Sequence, residues 1–167
     1  MASLPTERSC GSCMMCCKLT HVTSLDKPAG SWCRYSKPTV GCQIYDTRPD
    51  ECRNFMCQWL IDLRLDETWK PINSHFLIFH NKLQNTFIVM LDNNFPYAWK
   101  AEPFYTGIKE TAERLLTSDI YTIVVHRERF IFLFPDREEV HHIGSKAGWT
   151  IKTVSYTHLT LPTKRIV

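Results

Sequence analysis

Eight cysteines, Cys10, Cys13, Cys16, Cys17, Cys33, Cys42, Cys52 and Cys57, occupy the first third of a 167-residue chain, and the 110 residues after Cys57 hold none. The first four read C-x-x-C-x-x-C-C. A C-x-x-C turn carries two thiolates toward one ion while its backbone amides donate to sulfur. Tetrahedral zinc sites and iron–sulfur clusters each take four such ligands. Eight thiolates therefore supply two sites, or one site with four left for other work. Adjacent Cys16 and Cys17 project in different directions, so they serve different sites or one lies outside the ligand set.

Two other readings compete with metal ligation. The cysteine count is even, as a disulfide framework requires. However, the opening stretch from Met1 to Arg8 is too polar for an export signal, and cytosolic thiols stay reduced. The expected location is therefore cytoplasmic. Free cysteine is also a common core residue, but eight clustered at ligand-like spacing are not the pattern of isolated buried thiols.

The residues around the cysteines suit ligation. Asp46, Pro49, Asp50 and Glu51 carry helix-start signals: a capping residue, an early proline and acidic residues in the first turn. Cys52, Phe55, Met56, Trp59, Leu60 and Leu63 then recur at the spacing of one helical face. On such a helix Cys57 lies about 140° round from Cys52. The two share an ion only if the turn is distorted, and otherwise divide between sites. Lys18, Arg34, Arg48 and Arg53 are cations placed to offset thiolate charge, although Lys18 reads better as a solvated surface residue.

Cys10-Gly-Ser-Cys13-Met-Met-Cys16-Cys17, then Cys33, then Gly41-Cys42-Gln-Ile-Tyr45-Asp-Thr-Arg48-Pro49-Asp-Glu-Cys52-Arg53-Asn-Phe55-Met-Cys57, resembles the C-x-x-C-x-x-C-C family. These are the YkgJ-like cysteine cluster proteins, described as zinc- or iron-chelating domains. The resemblance covers about a third of the chain and departs at none of the cysteines. It implies that all eight are metal ligands, with Tyr45, Arg48 and Arg53 supporting them, and that the cofactor is zinc or iron, including an iron–sulfur cluster. It implies little about a reaction. The flagellin lysine methylases carry a related cluster as iron–sulfur enzymes, a weaker analogy for a chain this short.

The elements that must position these thiols differ sharply in composition. Apart from cysteine, apolar residues make up 28% of residues 1–57 but 45% of residues 58–152. The first segment cannot build much of a core, and domains of that size are marginal even at ordinary composition. The second can form a core unaided. There, residues 76–79 and 86–91 are short β-prone runs separated by a plausible hairpin connection at 81–85. Pro96 and Pro103 interrupt regular structure. From Phe104 onward, Tyr105, Ile108, Ala112, Leu115 and Leu116 recur at helical spacing, ended by Thr117-Ser118-Asp119. Residues 120–125, 130–134 and 140–143 supply further strands. The expected fold class is α+β: an irregular, metal-stapled cysteine segment with a short helix, followed by a small antiparallel sheet backed by a helix. Residues 1–62 form the cysteine-cluster domain in this reading and residues 63–152 the α+β domain. The stretch Val154-Ser-Tyr-Thr-His-Leu-Thr-Leu-Pro-Thr163 reads as the translation of a sequencing adapter, so residues 153–167 are taken as non-native and set aside.

Several classes fall away. A formal charge of +3 gives no broad basic surface for nucleic acid, and no apolar run reaches membrane-spanning length. His141 and His142 are adjacent and face opposite sides of a strand, so they do not chelate together, and His75 and His80 flank a strand end. Gly107, Gly144 and Gly148 are isolated and make no phosphate loop. Trp59, Trp69, Trp99 and Trp149 suit packing better than base stacking. The chain reads as a cytosolic, bacterial-type metalloprotein whose partner is a metal ion, with no protein partner named by the sequence. An iron–sulfur enzyme in redox or group-transfer chemistry, a zinc-stapled interaction module and a metal store remain alternatives. Structural zinc contributes roughly 10–16 kcal/mol in small zinc-dependent folds, against a typical domain total of ~5–15 kcal/mol. Chelation should therefore abolish protease protection of the cysteine segment and its circular dichroism signal. An unchanged, protected N-terminal segment would refute this.

Overall fold

The alternation of apolar side chains along the strand-forming runs sets the architecture of the chain. The structure is a computed structural model and describes residues 8–142. In chain order its elements are α1 (Met15–Leu19), β1 (Ser36–Lys37), β2 (Gly41–Cys42), α2 (Asp50–Arg53), α3 (Gln58–Ile61), α4 (Pro71–Ser74), β3 (Phe76–Asn81), β4 (Thr86–Leu91), α5 (Phe104–Leu116), β5 (Tyr121–His126), β6 (Arg129–Leu133) and β7 (Glu138–His142). Strands β3 to β7 form one sheet in sequential order, and β1 and β2 pair separately as a small antiparallel ladder. The class is α+β, with an irregular cysteine region that carries a short helix. The expected tail at 153–167, together with Ile143, Gly144, Gly148 and Trp149, lies outside the described residues.

The sheet is mixed, which corrects the expectation of an antiparallel one. β3–β4, β5–β6 and β6–β7 are antiparallel, but β4 and β5 run parallel, with Val89 opposite Val124. The cause is the helix between them. Parallel neighbours need a crossover of a dozen or more residues, and the segment through Ala98–Lys100 and α5 supplies it. A strand-helix-strand order therefore places β5 beside β4 in the same direction. The β3–β4 turn does fall at residues 82–85, with Asn85 at a positive φ of 49°.

Side chains alternate between faces with period two. Phe76, Ile78, Phe87, Val89, Leu91, Val124, Ile131 and Leu133 share one face and pack under Trp99, Ile108 and Ala112. Trp69, Phe76 and Phe104 meet edge to face, with centroids 5.0 to 6.3 Å apart. Gly107 makes room for this group, because a Cβ there would lie 2.9 Å from the Trp69 ring. The opposite face is also covered. Leu77 of β3 is buried with Met15 and Leu19 of α1 and Trp59 and Leu60 of α3, and Phe79 and Met90 pack alongside. The cysteine segment is thus docked on the sheet.

Two further expectations change. The single helical face from Cys52 to Leu63 is broken: α2 ends after Arg53, and Cys57 is extended, at φ −77° and ψ 153°, before α3 begins. Packing explains the break. Phe55 leaves the helical path to meet Phe79 edge to face at 5.3 Å, while Trp59 and Leu60 reach the sheet. Leu63, the last member of the expected stripe, is exposed. Lys18 is not a solvated surface charge. Its ammonium lies 2.6 Å from the Asp92 carboxylate just beyond β4, with both side chains largely buried. The pair fixes α1 against the sheet.

Ala exceeds Gly in helix propensity by about 0.8–1.0 kcal/mol, which alone would make Gly107→Ala stabilising. The Trp69 contact reverses the sign, because overpacking of this kind costs roughly 1–3 kcal/mol. Denaturant titration should show the Gly107→Ala protein less stable than wild type, and a gain in stability would contradict the packing seen here.

Candidate functional site

Local structure brings the cysteines in from separate segments. Cys13 N–H donates to Cys10 O at 2.9 Å, closing the C-x-x-C turn, with Gly11 at a φ of +54°. Cys16 and Cys17 follow in α1, whose Met15 and Leu19 are buried. Cys33 N–H donates to Cys17 O at 2.9 Å. Ser36 donates to Cys33 O from both its N–H and its hydroxyl, at 3.0 and 2.6 Å, and pairs across the ladder with Cys42. Gly41, at φ +104°, brings the ladder onto the C-x-x-C turn: a Cβ there would stand 2.8 Å from Gly11 O. Cys52 lies in α2, and Cys57 immediately precedes α3.

All eight cysteines are free thiols, and all eight line one cavity of about 590 Å³. Cys33 and Cys57 are buried and the other six half-buried. Tyr45, Arg48 and Arg53 also line this cavity. Among the described residues, no three His, Cys, Asp or Glu side chains stand close enough together to clasp one ion as they lie. The arrangement is therefore a shared cavity of soft donors rather than a closed coordination shell. Its donor chemistry fits a thiophilic metal such as zinc or iron.

Burial is the largest influence on the acidity of Cys13, Cys42, Cys52 and Cys57. It pushes Cys57 up to about 11, against the Leu60 and Trp59 amides that would favour the thiolate. Burial also raises Cys13, opposed by the Met15 and Ile72 amides, and it raises Cys42 and Cys52. Cys16 and Cys17 share a hydrogen bond that moves them apart. It holds Cys16 well above the usual thiol range and brings Cys17 down to about 7 against the effect of burial, with help from the charge of Lys27. Amides directed at sulfur are what a thiolate ligand requires, whereas burial opposes the bare anion.

Lys27 is the residue that sequence reasoning missed. It is 5% exposed, and its ammonium donates to the carbonyls of Lys18 and Thr20. Among the described residues no carboxylate pairs with it. The thiols of Cys33, Cys17, Cys16 and Cys52 are the acidic groups that face it, and burial lowers its own basicity. No pattern in the sequence around Asp26-Lys27-Pro28 marks this lysine as buried. It is turned inward by the tight loop closed by the Val22–Lys27 bridge, with Asp26 left-handed.

The other cations sort clearly. The Arg48 guanidinium lies 3.7 Å from the centroid of the Tyr45 ring, and its buried Nε has no hydrogen-bond partner among the described residues. The thiols that act on it are Cys10 and Cys42. Arg53 is exposed and donates to Arg48 O at 3.2 Å. Arg34 does not line the cavity and lies over Tyr35. His141 and His142 sit exposed on β7, and His75 stacks on Phe95 at 3.7 Å, away from the cavity. No helix among the described residues is long and apolar enough to cross a membrane. No protein family matches the chain, and neither a curated protein nor a solved structure matches it.

Proposed function

We propose that this protein binds zinc or iron, the latter as an ion or an iron–sulfur cluster, through Cys10, Cys13, Cys16, Cys17, Cys33, Cys42, Cys52 and Cys57. The observation that carries this reading is the convergence of all eight cysteines on one cavity. The resemblance to the C-x-x-C-x-x-C-C proteins supports it. Tyr45, Arg48 and Arg53 line the same cavity and support the ligand loops. The bound metal exchanges thiol protons for coordinate bonds, drawing the cysteine segments together where apolar side chains are too few to do so. A reducing, cytoplasmic setting suits thiolate ligands.

A second reading has its own observation. A cavity of about 590 Å³ is larger than a single ion needs and lies within the range of small-molecule sites, roughly 300–1,000 Å³. That favours an iron–sulfur enzyme in redox or group-transfer chemistry over a simple zinc staple. Protein purified without oxygen separates the two. Colourless protein with stoichiometric zinc supports the staple, and brown protein containing iron supports the cluster. Protein that retains neither metal and takes up neither on incubation would overturn the reading altogether.

Lys27 supplies a pH test. Exchange of four thiol protons for one divalent ion changes the local charge from zero to −2, so a neighbouring ammonium favours the loaded state. Lys27 faces Cys16, Cys17, Cys33 and Cys52. Lys27→Met removes that charge while keeping the stem, so protons should displace the metal more readily. The pH at which metal is released on acidification should rise by roughly 0.4–0.8 unit, because a unit charge near a centre of net −2 contributes about 2–4 kcal/mol at intermediate dielectric, shared over four protons at ~1.4 kcal/mol per unit each. A metal-sensitive dye read across a pH series would detect it, and an unchanged or lowered release pH would contradict the assigned role.

A further inference from the structure

The eight thiols do not surround the cavity evenly. Cys57 is buried in the apolar cluster of Met15, Leu19, Trp59, Leu60 and Leu77, and Cys10, Cys13 and Cys16 pack against that cluster. The remaining four cysteines are not part of it. They are held by a different set of contacts. Cys33 is tied to Cys17 through the backbone, and Ser36 fixes the Cys33 carbonyl while it pairs with Cys42 across the β1–β2 ladder. Cys42 is also among the groups that favour the Cys17 thiolate.

Resting on the metal-binding reading above, we propose that the cysteines form two abutting four-thiolate centres. One is Cys10, Cys13, Cys16 and Cys57, the other is Cys17, Cys33, Cys42 and Cys52, and the boundary falls between neighbouring Cys16 and Cys17.

Helix geometry allows this division. Successive side chains on a helix diverge by about 100°, so α1 delivers Cys16 toward the sheet-facing cluster and Cys17 toward the ladder. The break between α2 and α3 serves the same end, because it releases Cys57 from the direction of Cys52. The electrostatic neighbours sort alike away from the boundary itself, where Cys16 and Cys17 act most strongly on each other. Cys57 interacts with Cys10 and Cys13, whereas Cys52 interacts with Cys17, Cys33 and Cys42. The cations differ between the centres. Lys27 faces three thiols of the ladder centre and the boundary residue Cys16, while Arg48 faces one thiol of each, Cys10 and Cys42. Each centre would bind one thiophilic divalent ion or one cluster. For a divalent ion, four S–H bonds break, four metal–sulfur bonds form, and four protons pass to solvent, with no change of oxidation state.

The full-length chain loaded with cadmium-113, a soft divalent probe, tests the division without mutation. Two cadmium resonances are expected. Through-bond proton correlations should connect one to the β-protons of Cys10, Cys13, Cys16 and Cys57 and the other to those of Cys17, Cys33, Cys42 and Cys52. Native mass spectrometry of the zinc-loaded chain should show two ions per protein, falling to one in Cys57→Ser and in Cys33→Ser. A single cadmium resonance, a resonance correlated with cysteines of both sets, or a thiolate bridging both ions would overturn the division and leave metal binding intact. A chain that binds neither cadmium nor zinc would overturn the metal-binding reading itself.

Discussion

Lys27 imposes the charge constraint around which the cysteine region is arranged. Removing an ammonium from water is costly unless an anion or a set of dipoles replaces the solvent. Here two backbone carbonyls accept its protons, and the acidic groups facing it are thiols rather than carboxylates. Neutral thiols do not balance a buried positive charge, but thiolates on a metal do. The thiols face the converse constraint. Burial raises the pKa of Cys13, Cys42, Cys52 and Cys57, so none of these favours the anion without a cation close by. The buried lysine and the buried thiols are each unfavourable alone, and the thiophilic metal proposed above would relieve both.

That arrangement depends on the sheet for its footing. The cysteine segment has few apolar residues, and four of those it buries, Met15, Leu19, Trp59 and Leu60, meet Leu77 on the face of β3 opposite α5. The Lys18–Asp92 pair and the Arg8 guanidinium, which donates to the carbonyls of Trp59, Asp62 and Leu63, hold the same segment at its edges. An exposed ion pair is worth little, but Lys18 and Asp92 are largely removed from solvent, and loss of either would leave a stranded charge. The sheet is accordingly a two-sided element: α5 covers one face, and the cysteine region covers part of the other.

The elements legible from sequence were those set by period and by spacing. The α5 helix from Phe104 and the β4 strand over Thr86–Leu91 follow directly from where apolar residues recur. The parallel pairing of β4 and β5 was less accessible, because local pattern specifies a strand but not its neighbour. The crossover length alone carried that information. The stripe from Cys52 to Leu63 matched a helix in period, yet Phe55 and Trp59 find their partners on the sheet, and long-range contacts overrode the local signal. Lys18 and Lys27 were the least legible. Lysine is almost always a surface residue, and only tertiary structure shows which carboxylate or which thiols enclose its ammonium.

The break between α2 and α3 connects these strands of argument. A continuous helix would satisfy the local hydrophobic pattern and keep Cys52 and Cys57 on one rigid rod, about 140° apart. The chain instead interrupts its helix after Asn54, whose N–H still donates to Asp50 O, and holds Cys57 in an extended conformation. This lets Phe55 and Trp59 complete the packing on β3 and β4 while Cys57 turns beside Cys10 and Cys13. The same backbone distortion therefore docks the segment and orients a thiol. Because docking and thiol placement share these few residues, a change at Phe79 reaches the cysteine cavity through Phe55, while a change at Leu77 acts on it directly, since Leu77 lines the cavity and is buried in one cluster with Cys57.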